Sequence, residues 1–364
     1  MAKISLRHVT KVFSGKVVAV DDLSLEVPDR GLISLLGPSG CGKTTTMRII
    51  AGLESPTSGK VFFDGEDATD LHPRERDVAM VFQFPVLYPA MSIFDNIAFP
   101  LQARKLPKKE IRKRVNEVSE ILGLSDFLYQ KPKGLDAGTR QRAVLARAFI
   151  RRPKVYLLDE PLTNVDPTTR VELRAELKRM HTELGQTMIY VTHDQSESLT
   201  LADEIAVMDK GKLLQYDTPE RIYESPANRF VGWFIGNPGM NFINCRCQES
   251  KGKVYLEAKI FKQDITSISK KVKETSSGSD LILGMRPEHI EISPDKKIAE
   301  GIKARCILVE PVGNRKILHL QAGDEIIKAK SSSKIKVSKG DKVWLHFSTD
   351  YFKIFDGKTY QSLV

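Results

Sequence analysis

Nine residues, Gly37-Pro38-Ser39-Gly40-Cys41-Gly42-Lys43-Thr44-Thr45, constrain this chain more than any other stretch. An apolar run, Gly31-Leu32-Ile33-Ser34-Leu35-Leu36, precedes them, and a helical pattern from Thr44 to Ala51 follows. The sequence G-x-x-x-x-G-K-T between a strand and a helix is the Walker A loop, which cradles phosphates. Its glycines let the backbone curl until successive N–H groups point inward, and the helix N-terminus adds partial positive charge. Lys43 is placed to reach the terminal phosphates of a nucleotide, and the Thr44 hydroxyl to ligate Mg²⁺. Cys41 lies inside the loop, where oxidation would obstruct binding. The whole segment from Gly37 to Thr45 is thus a candidate ATP site, with ATP and Mg²⁺ as expected ligands, in an α/β P-loop NTPase domain.

The pattern up to about residue 235 agrees with that fold. Val78-Ala79-Met80-Val81-Phe82, Val155-Tyr156-Leu157-Leu158 and Met188-Ile189-Tyr190-Val191-Thr192 are short apolar runs, as strands buried on both faces of a parallel sheet require. Helical patterns lie between them, from Lys108 to Leu122, Thr139 to Arg151 and Pro167 to Leu184, the last opened by a cap at Asp166-Pro167. Past Gly236-Asn237-Pro238-Gly239 the texture changes. Alternating segments such as Lys253 to Glu257, Asp280 to Gly284 and Lys342 to Phe347 are separated by turn-rich stretches, one being Thr275 to Ser279. Short strands at this spacing predict a small barrel or sandwich. The expected division is an ATP-binding domain over 1–236 and an all-β, OB-like domain over 237–364.

A second piece of chemistry stands at Val155-Tyr156-Leu157-Leu158-Asp159-Glu160-Pro161. An apolar strand that ends in a carboxylate, downstream of a Walker A loop, is the Walker B arrangement. Asp159 is the candidate to hold Mg²⁺ through water, and Glu160 beside it is suited to polarise an attacking water.

Composition excludes several alternatives. No stretch of the 364 residues approaches the roughly 18 apolar residues of a membrane-spanning helix. The start, Met1 to Val9, alternates like a strand and lacks the apolar core of a signal peptide. Any service to a membrane is therefore expected from the cytoplasmic face and through partners. The net charge of +10 admits nucleic acid, anionic lipid or nucleotide phosphate as ligands. Aromatics are sparse and not interleaved with the basic residues, against a single-strand binding groove, so no nucleic acid is expected. Cys41, Cys245, Cys247 and Cys306 show no metal-ligand spacing, and Cys245 and Cys247 fall on one face of a strand. A reducing compartment fits.

With these motifs in order, nearly the whole chain resembles the ATPase subunit of an ABC importer, most closely the maltose and glycerol-3-phosphate type, in which a β-rich regulatory domain follows the ATPase domain. The resemblance implies further roles. Gln83, in Val81-Phe82-Gln83-Phe84, matches the Q-loop glutamine that senses Mg²⁺ and water, and Val86 to Ser92 resembles the segment that meets the coupling helices of the membrane subunits. Asp166, in Thr163-Asn164-Val165-Asp166, matches the D-loop that crosses a dimer interface, a role compatible with capping the next helix. His193, in Val191-Thr192-His193-Asp194-Gln195, matches the switch histidine that contacts the γ-phosphate and holds the attacking water. Phe13 matches the aromatic that stacks on adenine, a core position being the other reading. Gly236 to Phe242 and Leu283 to Ile290 resemble parts of the sugar-importer regulatory domain.

One motif departs. Where the family signature reads Leu-Ser-Gly-Gly-Gln, this chain has Leu135-Asp136-Ala137-Gly138-Thr139. Asp136 puts a carboxylate where a hydroxyl donates to the partner's nucleotide, and Ala137 adds a methyl where the backbone approaches closely. As a strong N-cap, Asp136 should nevertheless preserve the helix start. The resemblance thus implies an ABC transport ATPase that drives uptake of a sugar, polyol or glycerol-phosphate-type solute. Its expected partners are two membrane-spanning permease subunits, a second ATPase subunit in a hetero- or homodimer and, indirectly, a solute-binding protein. The altered signature favours the heterodimer. A regulatory nucleotide-binding subunit with little turnover, and a soluble ABC ATPase acting on nucleic acid, are the alternative readings.

Overall fold

Apolar runs buried on both faces and alternating runs buried on one face separate into different sheets. The computed structural model describes residues 2–269, 272, 280–294 and 301–364, so the Thr275 to Ser279 stretch lies outside the described residues. The chain divides into two compact units, Met1–Pro219 and Glu220–Val364.

In the first unit, β1 (Ile4–Phe13) is buried from Ile4 to Leu6 and at Val9, and β2 (Val17–Val27) alternates buried and exposed residues from Leu23 onward. After β3 (Leu32–Leu36) come β4 (Ser58–Phe63) and β5 (Glu66–Asp67), which complete an antiparallel sheet of order β2-β1-β4-β5. The fully buried β3 belongs to a second sheet with β6 (Val78–Val81), β7 (Val155–Asp159), β8 (Thr187–Thr192), β9 (Glu204–Asp209) and β10 (Lys212–Asp217), ordered β10-β9-β3-β8-β7-β6. Its strands run parallel except at the β9–β10 hairpin. Leu6, Leu23 and Leu25 from the first sheet pack with Ile33, Leu157 and Ile189 from the second and with Met47 and Ile50 of α1 (Lys43–Ala51) in one core cluster.

The remaining helices of this unit are α2 (Ile93–Ala103), α3 (Lys108–Ile121), α4 (Ala137–Phe149), α5 (Pro167–Leu184) and α6 (Gln195–Leu201). The sequence anticipates α1, α3, α4 and α5 within two residues. It does not suggest α2, whose pattern Pro100 interrupts, although Ser92 caps it by accepting from the Asp95 amide at 3.0 Å.

Register matters most for function. Leu36 pairs with Thr192, Asp159 with Val191 and Val81 with Leu158. The residues that follow these ends therefore emerge side by side along the carboxyl edge of the sheet, where open α/β sheets bind ligands.

The second unit is antiparallel throughout its described strands. One sheet runs Lys262–Asp264, Lys253–Glu257, Asn241–Ser250, Asp280–Met285, Lys353–Asp356; the other runs Ile290–Ser293, Lys342–Phe347, Ile302–Val312, Arg315–Ala322, Glu325–Ser332. Leu256, Leu283, Leu318, Leu320, Val343 and Ile354 close a shared core between them. Cys245 is buried in that core, and its thiol is pushed up to about 12 by burial. Buried Arg286 donates to the carbonyls of Tyr223, Gly232 and Ile235, at two short helices, Pro219–Glu224 and Arg229–Phe234. The Arg286 motif thus serves the architecture of this unit. Phe242 pairs with Gly284, where a Cβ would come within 2.6 Å of both Met240 Sδ and a Phe355 ring carbon.

Candidate functional site

The phosphate loop leaves β3 and enters α1 through Gly42, whose φ of 106° lies in the left-handed region. A Cβ on Gly42 would stand 2.3 Å from the Ala19 carbonyl oxygen, and one on Gly37 2.2 Å from that of Met208. Both positions therefore exclude a side chain on steric grounds. Lys43, only 4% exposed, donates from Nζ to the carbonyls of Gly37 at 2.8 Å and Pro38 at 2.9 Å, which centres its charge within the loop. Cys41 Sγ lies 3.7 Å from that ammonium. Burial pushes the thiol up despite the neighbouring cation, which keeps it protonated and poorly reactive.

Across the loop, Thr44 Oγ1 donates to Asp159 Oδ1 at 3.0 Å, joining α1 to the end of β7. Asp159 is 6% exposed and has no ion-pair partner among the described residues. Burial raises its carboxyl, and the Thr44 hydroxyl opposes the rise. A buried carboxylate without an ion pair, beside a hydroxyl, is a hard-oxygen donor set of the kind Mg²⁺ selects.

Glu160 is the point of convergence. Its φ of 44° is left-handed, and its amide donates to the Val191 carbonyl at 2.9 Å, so the turn after β7 is pinned to β8. On its carboxylate, Oε2 accepts from Gln83 Nε2 at 3.1 Å and from Thr163 Oγ1 at 3.2 Å, and Oε1 lies 3.3 Å from His193 Nδ1. Asn164 Nδ2 donates to the Gln83 carbonyl at 2.9 Å, tying the loops after β6 and β7 together. Three segments, those after β6, β7 and β8, thus meet on one carboxylate that keeps an accessible edge. Such a group can accept a proton from a water held beside it.

Thr163 and Asn164 carry no assigned role in the sequence reading, although they sit in a quoted motif. Polar residues right after an acidic strand end are the signal that would have flagged them.

The remaining candidates lie apart from this cluster. Phe13 is 38% exposed at the end of β1, with Lys11 Nζ 5.0 Å from its ring centroid, so its ring is outside the core. Asp166 caps α5, accepting from the amides of Thr168 and Thr169 at 3.1 Å each. Phe82, Phe84, Val86 and Tyr88 are exposed along a groove of about 360 Å³ that Phe99 and Arg147 also line.

Leu135 precedes the variant helix start. Asp136 caps α4, with Oδ1 accepting from the Thr139 amide at 2.8 Å and Oδ2 from the Thr139 hydroxyl at 2.5 Å. The hydroxyl first, then the amide, hold its carboxyl below the ordinary range. Ala137 opens the helix, and a Cβ on Gly138 would reach within 2.5 Å of Thr169 Cγ2. The expected cap is therefore present, and the positive end of α4 is already answered by its own carboxylate.

Asp136→Ala is expected to lower unfolding stability by about 1 kcal/mol. A carboxyl held down in the fold stabilises above its unfolded value of about 4 and loses that contribution as pH falls through the folded value. Chemical denaturation of both proteins should therefore show the gap at pH 7 shrinking as the buffer is acidified through the carboxylate range. A gap independent of pH would refute the ionic part of the cap.

Comparison with known proteins agrees with this geometry. The family described as ABC transporter matches residues 20–163, the MalK OB fold domain residues 236–290 and the TOBE domain residues 283–352. The chain is 43% identical to the trehalose/maltose import ATP-binding protein MalK of Thermococcus litoralis, over 99% of each chain. To the oligosaccharides import ATP-binding protein MsmX of Bacillus subtilis it is 41% identical, also over 99% of each. Among solved structures, cbiO1 of Clostridium perfringens, part of the ABC transporter complex cbiONQ, superposes with a TM-score of 0.57 at 27% identity, covering 60% of this chain and 89% of that one.

Proposed function

The chain belongs to the ABC transporter family, among its ATP-binding import subunits, and from that premise we propose that it powers uptake of a sugar, oligosaccharide or related polyol. As a member it is a transport ATPase that binds and hydrolyses ATP. One observation carries the assignment of residues: Gln83, Thr163 and His193 converge on Glu160, beside the loop that holds Lys43. The names of relatives that import trehalose, maltose or oligosaccharides support the solute class. None of them supports the nucleic-acid or low-turnover readings.

In this reading, backbone amides of Gly37 to Thr45 and the Lys43 ammonium bind the phosphates of ATP, and Phe13 receives the adenine. Glu160 accepts the proton of the attacking water as the bond between the γ-phosphorus and the bridging oxygen of ADP breaks. His193, 3.3 Å from Glu160, orients that water and the γ-phosphate. Gln83 holds the carboxylate and joins the site to the exposed Phe84 to Tyr88 surface. Thr44 and Asp159, with Gln83, would hold Mg²⁺, which when bound neutralises charge on the phosphates.

Among the described residues no helix is long and apolar enough to cross a membrane. In this reading attachment is peripheral, on the cytoplasmic face, through two permease subunits, with a solute-binding protein acting indirectly, a placement that the import ATP-binding relatives support. The division between an ATP-binding domain up to residue 236 and a β-rich regulatory domain from 237 has the support of the match that begins at 236, whereas by compactness residues 220–236 group with the second unit.

Because Asp136 and Ala137 offer a neutralised helix end, the chain pairs with a different ATPase subunit that supplies an ordinary signature, while Asp166 faces that interface. Purified alone, the chain should then show feeble ATPase, and Asp136→Ser with Ala137→Gly should raise it about tenfold or more. Vigorous activity of the unaltered chain alone would sink the heterodimer. To test the wider function, proteins that co-purify from membranes would be identified, and absence of any permease would overturn it.

A further inference from the structure

Just behind His193 stands a carboxylate that the mechanism above does not use. Glu197, in the first turn of α6, is 3% exposed and has no ion-pair partner among the described residues. Its Oε2 accepts from the Thr192 hydroxyl at 2.6 Å and from the Tyr190 hydroxyl at 2.8 Å. Burial raises its carboxyl, and the two hydroxyls partly offset that rise. An acid in the first turn of a helix gains from the dipole, but that gain requires neither burial nor two hydroxyl donors.

The hydrogen-bond direction is informative. A hydroxyl has one proton, and Thr192 gives its proton to Glu197. Its lone pair is therefore free to accept from the Asp194 amide, which lies 3.0 Å away. Asp194 in turn caps α6, accepting from the amides of Ser196 at 2.7 Å and Glu197 at 3.2 Å. Thr192 and Asp194 are the two neighbours of His193. The Thr192 hydroxyl, whose orientation Glu197 sets, ties the two together, with Arg170 a further 3.7 Å contact to Asp194, while the His193 ring itself is half exposed and meets Glu160 Oε1 at 3.3 Å. We propose that Glu197 is a positioning residue for the ATPase reaction, aiming His193 through Thr192.

The inference rests on the reading of His193 as catalytic, so the experiment separates the two. ATPase would be measured on the assembled transporter carrying Glu197→Ala, Thr192→Val, Glu197→Gln, His193→Ala, or Glu197→Ala with His193→Ala. Glu197→Ala and Thr192→Val should each lower kcat by about 10- to 100-fold with KM for ATP nearly unchanged, because a displaced ring misorients the reaction without touching the phosphate loop. In the His193→Ala background Glu197→Ala should add nothing further. Gln can place one oxygen where Oε2 stands and accept both hydroxyls, so Glu197→Gln should restore most of the turnover. An equal additional loss in the His193→Ala background, or a change in KM alone, overturns the proposal. Should Glu197→Ala fail to fold, Thr192→Val carries the same test, since its side chain keeps its shape. If His193→Ala itself turns over normally, the catalytic reading falls and this inference falls with it. A large loss for His193→Ala beside normal Glu197→Ala and Thr192→Val removes the inference alone.

Discussion

A Glu160→Gln variant is expected to lose about 10²- to 10⁴-fold in ATPase rate while still binding ATP within a small factor of the unaltered chain. The amide is nearly isosteric with the carboxylate. Its oxygen can go on accepting from Gln83 and Thr163, which now stand 3.1 and 3.2 Å from Oε2, so the loops after β6 and β7 stay in place. What disappears is basicity, and a water beside the group has nowhere to send its proton. Single-turnover hydrolysis and nucleotide binding, measured in parallel on the assembled transporter, separate the two effects. A rate within tenfold of the original would place the general base elsewhere.

The second large effect lies in the phosphate loop. Gly42→Ala is expected to weaken ATP binding by about 100-fold, the equivalent of roughly 3 kcal/mol of backbone strain. A single methyl group does this because φ is 106° and the Ala19 oxygen would stand 2.3 Å from the new carbon. Backbone must shift, and the amides that face the phosphates shift with it. Gly40→Ala is the informative contrast. Its φ of 79° also disfavours a side chain, but no atom lies within 4 Å, so a smaller loss is expected. Titration with a fluorescent nucleotide would rank the two, and equal losses would show that steric contact with Ala19 is irrelevant.

Much of this protein was legible as sequence because its signals are local. An apolar run followed by Gly37 to Thr45 specifies strand, loop and helix within about twenty residues. Asp136 and Asp166 each announce a helix start through chemistry that reaches only three residues ahead. The alternation beyond residue 240 marks an all-β unit for the same reason, since side chains alternate faces along any strand. The resemblance to importer ATPases then rests on such local motifs taken in order.

Other features stayed hidden because they depend on partners distant in the chain. The start of β1 reads as a strand in the sequence, but that β4 joins it in an outer sheet does not, since that pairing crosses the intervening β3 and α1. No local pattern says that Gln83 and His193 share the Glu160 carboxylate, or that Glu197 is buried, since packing over the whole domain decides both. Phe13 left two readings open in the sequence, and the tertiary structure places its ring outside the core.

The sequence by itself determined which groups are present and the local backbone that presents them: a loop for phosphates, a carboxylate pair at a strand end, a helix start closed by an aspartate. Only the tertiary structure decided which of them meet. The order β3-β8-β7-β6, with its register, brings the loop, His193, Glu160 and Gln83 to one edge. Sheet order is settled by burying faces against one another over the whole domain, a global balance that no window of residues contains.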